Sequence, residues 1–156
     1  MNTDLLIKQF EFTQCGMQAN LQGFTHEDSM KPPRPAGNCL NWLLGHIVCC
    51  RRDIMRLVEK PWPWDKEKYA RYGNGSPPLT DDAPALPLET IIQDFNSTQE
   101  AIIAGLQKIS TDWLQTALGN ETVGSMLAGL QFHEAYHVGQ LGLLRRLAGK
   151  KGAMER

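Results

Sequence analysis

Three of the four histidines in this 156-residue chain fall where a helix would otherwise bury leucine. Val123, Met126, Leu130, His133, His137, Leu141 and Leu144 recur at spacings of three and four, the repeat of one helix face. His133 and His137 are one turn apart on that face, with Cβ atoms about 5–6 Å apart. Both imidazoles can therefore reach one cation at about 2.0–2.1 Å per nitrogen. His46 holds the same kind of position in an earlier stripe, Leu43, His46, Cys50 and Ile54. An inward imidazole without a partner costs about 1–3 kcal/mol, so three of them ask for a shared explanation. A divalent ion held by His46, His133 and His137, with positions left for water or substrate, supplies one. Histidines satisfied by Thr, Gln or backbone carbonyls are the simpler alternative.

Three neutral imidazoles would leave such an ion its full charge, enough to make water or a thiol a nucleophile near neutral pH. Five further residues could assist. Glu134 is a candidate catalytic base, although it lies about 100° around the helix from His133 and so faces a flank, where a solvated or interface glutamate is the competing reading. Gln140, three residues beyond His137, could fix a ligand's tautomer or simply pack between helices. Cys49 and Cys50, three and four residues after His46, could approach the ion or be small buried side chains. Asp53, two turns past His46, could support a ligand from behind.

The string His133-Glu134-Ala135-Tyr136-His137 also matches the HExxH signature of zinc peptidases. Its surroundings do not. A third histidine at position 143 is replaced by Leu143, the glycine expected at 140 is Gln140, and the one downstream glutamate is Glu155. No strand pattern offers an edge to an extended peptide. Peptidase is the least favoured reading.

Four helical stretches position these side chains, at about 4–22, 38–59, 87–109 and 121–148, with Thr3 as a cap for the first. The first stripe is Leu6, Phe10, Met17 and Leu21, interrupted by Thr13. The third is Leu88, Ile91, Phe95, Ile102, Leu106 and Ile109, with Thr98 in its middle. Gly23 and the prolines at 32, 33 and 35 make 25–37 a loop. The stretch 60–86 is far longer than the usual connection of about 4–6 residues and reads as a crossover between helices two and three. Its Trp62, Trp64, Tyr69 and Tyr72 could form a lid, a dimer surface or a cover for the bundle end. Arg51, Arg52 and Arg56 read as a solvated basic face. The fold expected is an all-α four-helix bundle, one domain over 1–156.

With its sequence from Trp42-Leu-Leu-Gly-His46 and from His133-Glu-Ala-Tyr-His137-Val-Gly139-Gln140-Leu141 through Leu144-Arg145-Arg146 to Gly149, the chain resembles the DinB/YfiT-like superfamily of bacterial metal-binding four-helix bundles. The resemblance implies an up-down-down-up bundle, a homodimer, and His46, His133 and His137 as ligands of nickel or zinc. It further implies a metal-dependent enzyme acting on a small molecule. The reaction would be transfer to or from a low-molecular-weight thiol of the bacillithiol, mycothiol or glutathione type, or hydrolysis. A non-catalytic metal-binding stress-response module is the alternative.

Composition sets outer bounds. Sixteen Lys+Arg against seventeen Asp+Glu give a formal charge of -1, which favours no nucleic-acid partner. No run approaches eighteen apolar residues, so no membrane span is expected, and the opening MNTDLLIKQFEF does not read as a signal peptide. Four cysteines, two of them adjacent at 49 and 50, suit free thiols in a reducing, cytoplasmic setting.

Overall fold

Apolar stripes at helical spacing must be covered, and here four long helices cover one another. The computed structural model describes residues 3–34, 36–79 and 85–153. Its elements are α1 (Thr3–Leu21), α2 (His26–Met30), α3 (Leu40–Leu57), a 3-10 segment (Lys66–Tyr72), α4 (Leu88–Leu106), α5 (Thr111–Gln115), a hairpin of β1 (Ala117–Leu118) and β2 (Glu121–Thr122), and α6 (Val123–Leu147). The long helices α1, α3, α4 and α6 pack in a closed ring: α1 on α4, α4 on α3, α3 on α6, and α6 back on α1. The chain is thus mainly helical, as the periodicity requires, and among the described residues no helix is long and apolar enough to cross a membrane.

The differences from the expected elements have local causes. Thr25 accepts a hydrogen bond from the Asp28 amide at 3.1 Å and caps α2, a single turn inside the stretch read as loop. Five residues are too few to register as a period. Thr3 is the first residue of α1 rather than its cap. The fourth helix begins at Val123 rather than 121, because Glu121 and Thr122 pair with Leu118 and Ala117 around Gly119, whose φ is 66°. Thr122 then caps the helix, accepting from the Ser125 amide at 3.1 Å. In the crossover, residues 80–84 lie outside the described set, as do Pro35 and Glu155.

Two apolar clusters fill the ring. One gathers Met17, Leu44, Ile91, Phe95 and Leu141; the other gathers Phe10, Ile54, Ile102, Leu106 and Leu127. The crossover aromatics Tyr69 and Tyr72 are buried against the first. Tyr69 donates to Asp94 Oδ2 at 2.7 Å, and Tyr72 donates to Asn41 Oδ1 at 3.0 Å while accepting from the Leu86 amide at 2.8 Å. Both phenols therefore keep a partner when buried.

Arg51 requires a correction. It is not on a solvated basic face with Arg52 and Arg56, both exposed, but fully buried inside the ring. Each of its five N–H groups has an acceptor. Nε reaches Glu134 Oε2 at 2.8 Å, Nη1 reaches the Phe95 carbonyl at 2.8 Å and Thr98 Oγ1 at 3.1 Å, and Nη2 reaches Gln99 Oε1 at 2.6 Å and Glu134 Oε1 at 2.7 Å. Thr13 Oγ1 closes the group at 3.0 Å from Glu134 Oε1. The threonines that interrupt the first and third stripes are thus parts of one polar knot joining α1, α3, α4 and α6.

Candidate metal centre

His46 sits on α3 one residue after Gly45, where a Cβ would stand 2.2 Å from the Tyr72 ring. The missing side chain lets Tyr72 come close enough for its carbonyl to lie 2.8 Å from His46 Nδ1. A carbonyl only accepts, so Nδ1 carries the hydrogen and Nε2 is left with a lone pair. Trp42 stacks on the ring from one turn earlier, centroids 4.9 Å apart and planes 14° apart. His46 is itself buried, and its orientation is therefore held on two sides.

His137 is oriented in the same way from α6. Its Nδ1 lies 2.6 Å from Gln140 Oε1, and the other end of that amide is 3.4 Å from the Tyr136 hydroxyl. With the amide so placed, His137 donates from Nδ1 and also presents Nε2 as a lone pair. Both lone pairs converge on His133: its Nε2 is 3.4 Å from His46 Nε2 and 3.0 Å from His137 Nε2. The three rings stand steeply inclined to one another in T-shaped pairs, with interplanar angles of 68°, 84° and 79°. A proton on His133 could satisfy one facing lone pair and would leave the other without a donor.

Nitrogens at about 2.0–2.1 Å from one ion, at tetrahedral or right angles, stand about 2.9–3.4 Å apart. The two Nε2 separations fall in that interval. Burial pushes the pKa values of His133 and His137 below the usual imidazole value; the neighbouring imidazole of His46 adds to this for both, and for His137 the Gln140 bond works in the opposite direction. Neutral imidazole is the form that binds metal. Two of the three imidazole pairs thus stand at ligand separations, and the cluster is compatible with a divalent ion.

Cys50 enters the same cluster. Its Sγ is 3.6 Å from His46 Nε2, and the ligand atoms of His46, Cys50 and His133 all lie within 4.8 Å of one another. Cys50 thus stands beside His46 and His133 in the third place where sequence spacing pointed to His137, which joins through His133. Burial pushes the Cys50 thiol up to about 12. Cys49 turns elsewhere, to a separate hollow with Trp62, Lys66 and Tyr69. None of the four cysteines is in a disulfide.

Glu134 and Asp53 lie outside the cluster. Glu134 is 2 % exposed, neither solvated nor at an interface, and its two oxygens are taken by Arg51 and Thr13. The flank expected from its position in the helix turns out to be the interior flank. Asp53 keeps a half-exposed side chain 3.8 Å from Arg56. His26 opens α2, where its Nδ1 accepts from the Leu88 amide at 3.2 Å.

A cleft of about 540 Å³ opens onto the cluster, lined by His46, His133, His137 and Gln140. Trp42, Leu43, Leu143, Leu144 and Leu147 form its apolar wall, and Arg34, Asn38 and Asn74 its polar rim. The size and mixed lining are those of small-molecule sites, which span about 300–1,000 Å³. Two features of the centre were missed by sequence reasoning. The Tyr72 carbonyl leaves no sequence signal because any residue carries one. The Arg51–Glu134 pair did leave one, in the threonines that break two apolar stripes.

No curated protein matches the chain. The family model for the DinB superfamily matches residues 9–141, a span that includes His46, His133, His137 and Gln140. The match covers most of the sequence and all three converging imidazoles, and by it the chain belongs to the DinB superfamily.

Proposed function

We propose that the chain is a metal-dependent enzyme acting on a small molecule, with His46, His133 and His137 holding a divalent ion, nickel or zinc, on an up-down-down-up bundle. The observation that carries this reading is the cleft: the three imidazoles line a cavity of ligand size rather than a sealed core. When bound, a divalent ion supplies the charge that makes a thiol or a water nucleophilic near neutral pH. The protein's own groups do the rest. Tyr72 and Gln140 hold two rings with Nε2 forward, Trp42 and the leucines keep bulk water from an apolar substrate portion, and Arg34, Asn38 and Asn74 offer polar contacts at the rim.

Among the described residues lining the cleft there is no carboxylate, and Glu134 is committed to Arg51. Water attack wants a base to receive its proton, whereas a thiol gives up its proton far more readily to a cation and to solvent. That favours transfer involving a low-molecular-weight thiol over hydrolysis. The test is protein loaded with nickel or zinc, assayed for conjugation of electrophiles with glutathione or bacillithiol and for ester hydrolysis. Thiol-dependent turnover lost in His137→Ala supports the reading. Inactivity in both panels, with the metal bound, would leave a non-catalytic metal-binding module.

A further inference from the structure

We infer that Cys50 is a sulfur ligand of the metal centre, so that the site is a mixed imidazole–thiolate one selective for zinc-like ions over hard ions such as magnesium. The inference rests on the metal-centre reading and deepens it by naming the class of ion. An ion 2.3 Å from a thiolate and 2.0–2.1 Å from an imidazole, at a tetrahedral angle, separates sulfur from nitrogen by about 3.5–3.6 Å. Cys50 Sγ stands 3.6 Å from His46 Nε2, the nitrogen whose lone pair the Tyr72 carbonyl leaves free. The same sulfur lies within 4.8 Å of the ligand nitrogen of His133.

Direction matters as much as distance. Cys50 is not among the residues lining the cleft, so its sulfur reaches the cluster from the protein side. The cleft side stays available to an incoming molecule: one sulfur and three imidazoles would fill four positions, and an external ligand would be the fifth, a number zinc reaches during reaction. Thiolate selects borderline and soft ions, while magnesium and manganese prefer oxygen. Ligation breaks the S–H bond, forms a sulfur–metal bond and sends the proton to solvent; no electrons are transferred.

Cobalt(II) is the probe, since it occupies zinc-type sites and reports sulfur ligation by a near-ultraviolet charge-transfer band. The full chain is titrated with cobalt, alongside Cys50→Ser and Cys50→Ala, with circular dichroism to verify that both variants fold. The band is expected in the unsubstituted protein and absent in both variants, which still bind cobalt through imidazole. Their affinity for zinc should be weaker by about tenfold or more, at least what losing an outer partner of a ligand costs. Cobalt bound without the band, and unchanged affinity in both variants, overturns the role of Cys50 and leaves the imidazole centre standing. Failure of cobalt and zinc to bind the unsubstituted protein overturns both. Should one variant misfold, the other decides.

Discussion

A histidine becomes a dependable ligand when something else fixes which nitrogen it offers. For His137 that is Gln140, through a bond of 2.6 Å. Gln140→Leu should leave the helix intact and lower zinc affinity by about 10–100-fold, the usual cost of removing such a partner, read by competition with a chromogenic chelator. An unchanged affinity would make Gln140 a packing residue. For His46 the orienting group is the Tyr72 carbonyl, and its approach depends on a missing Cβ. Gly45→Ala places a methyl 2.2 Å from the Tyr72 ring, which must move. A loss of about 1–3 kcal/mol in urea denaturation is expected, together with weaker metal binding. The three imidazoles were legible in the sequence because histidine at helical spacing among leucines is rare and chemically costly. Cys50 was legible as a neighbour of His46, but whether its sulfur points inward depends on a rotamer, which spacing does not fix.

Among the elements, the four long helices follow from their apolar period to within three residues at every end. What the period could not convey is what joins them in register. That is the polar knot of Arg51, Glu134, Thr13, Thr98 and Gln99, which occupies core positions on all four helices. In sequence, Arg51 stands beside Arg52 and close to Arg56 and reads as one solvated face; three arginines in six residues hide the one that turns inward. The HExxH glutamate is likewise read by its motif as a base, whereas its acceptors are spent on a guanidinium. Removing one partner of a buried pair leaves a bare charge, so Arg51→Met should cost about 3–5 kcal/mol, while Arg51→Met with Glu134→Leu should recover most of that loss. Chemical denaturation of the singles and the double gives the comparison. A double variant no more stable than the single would mean that the pair is not what couples α3 to α6. The short pieces, α2, α5 and the β1–β2 hairpin, were not legible, since each is set by one cap or one turn residue rather than by a repeat.

For the whole molecule, the ion and the fold should be linked. The ligands come from α3 and α6, so binding adds a cross-link between two helices that are 87 residues apart in sequence at His46 and His133. A ligand at a hundred times its dissociation constant stabilises the native state by about 2.7 kcal/mol. In a chain of this length that is a rise in melting temperature of roughly 5–11 °C, and His133→Ala should abolish most of it. The most direct test is calorimetric titration of metal-free protein with zinc. The account predicts one ion per chain, bound in a saturable transition that His133→Ala removes. Zinc uptake that is absent, or identical in protein and variant, would contradict it.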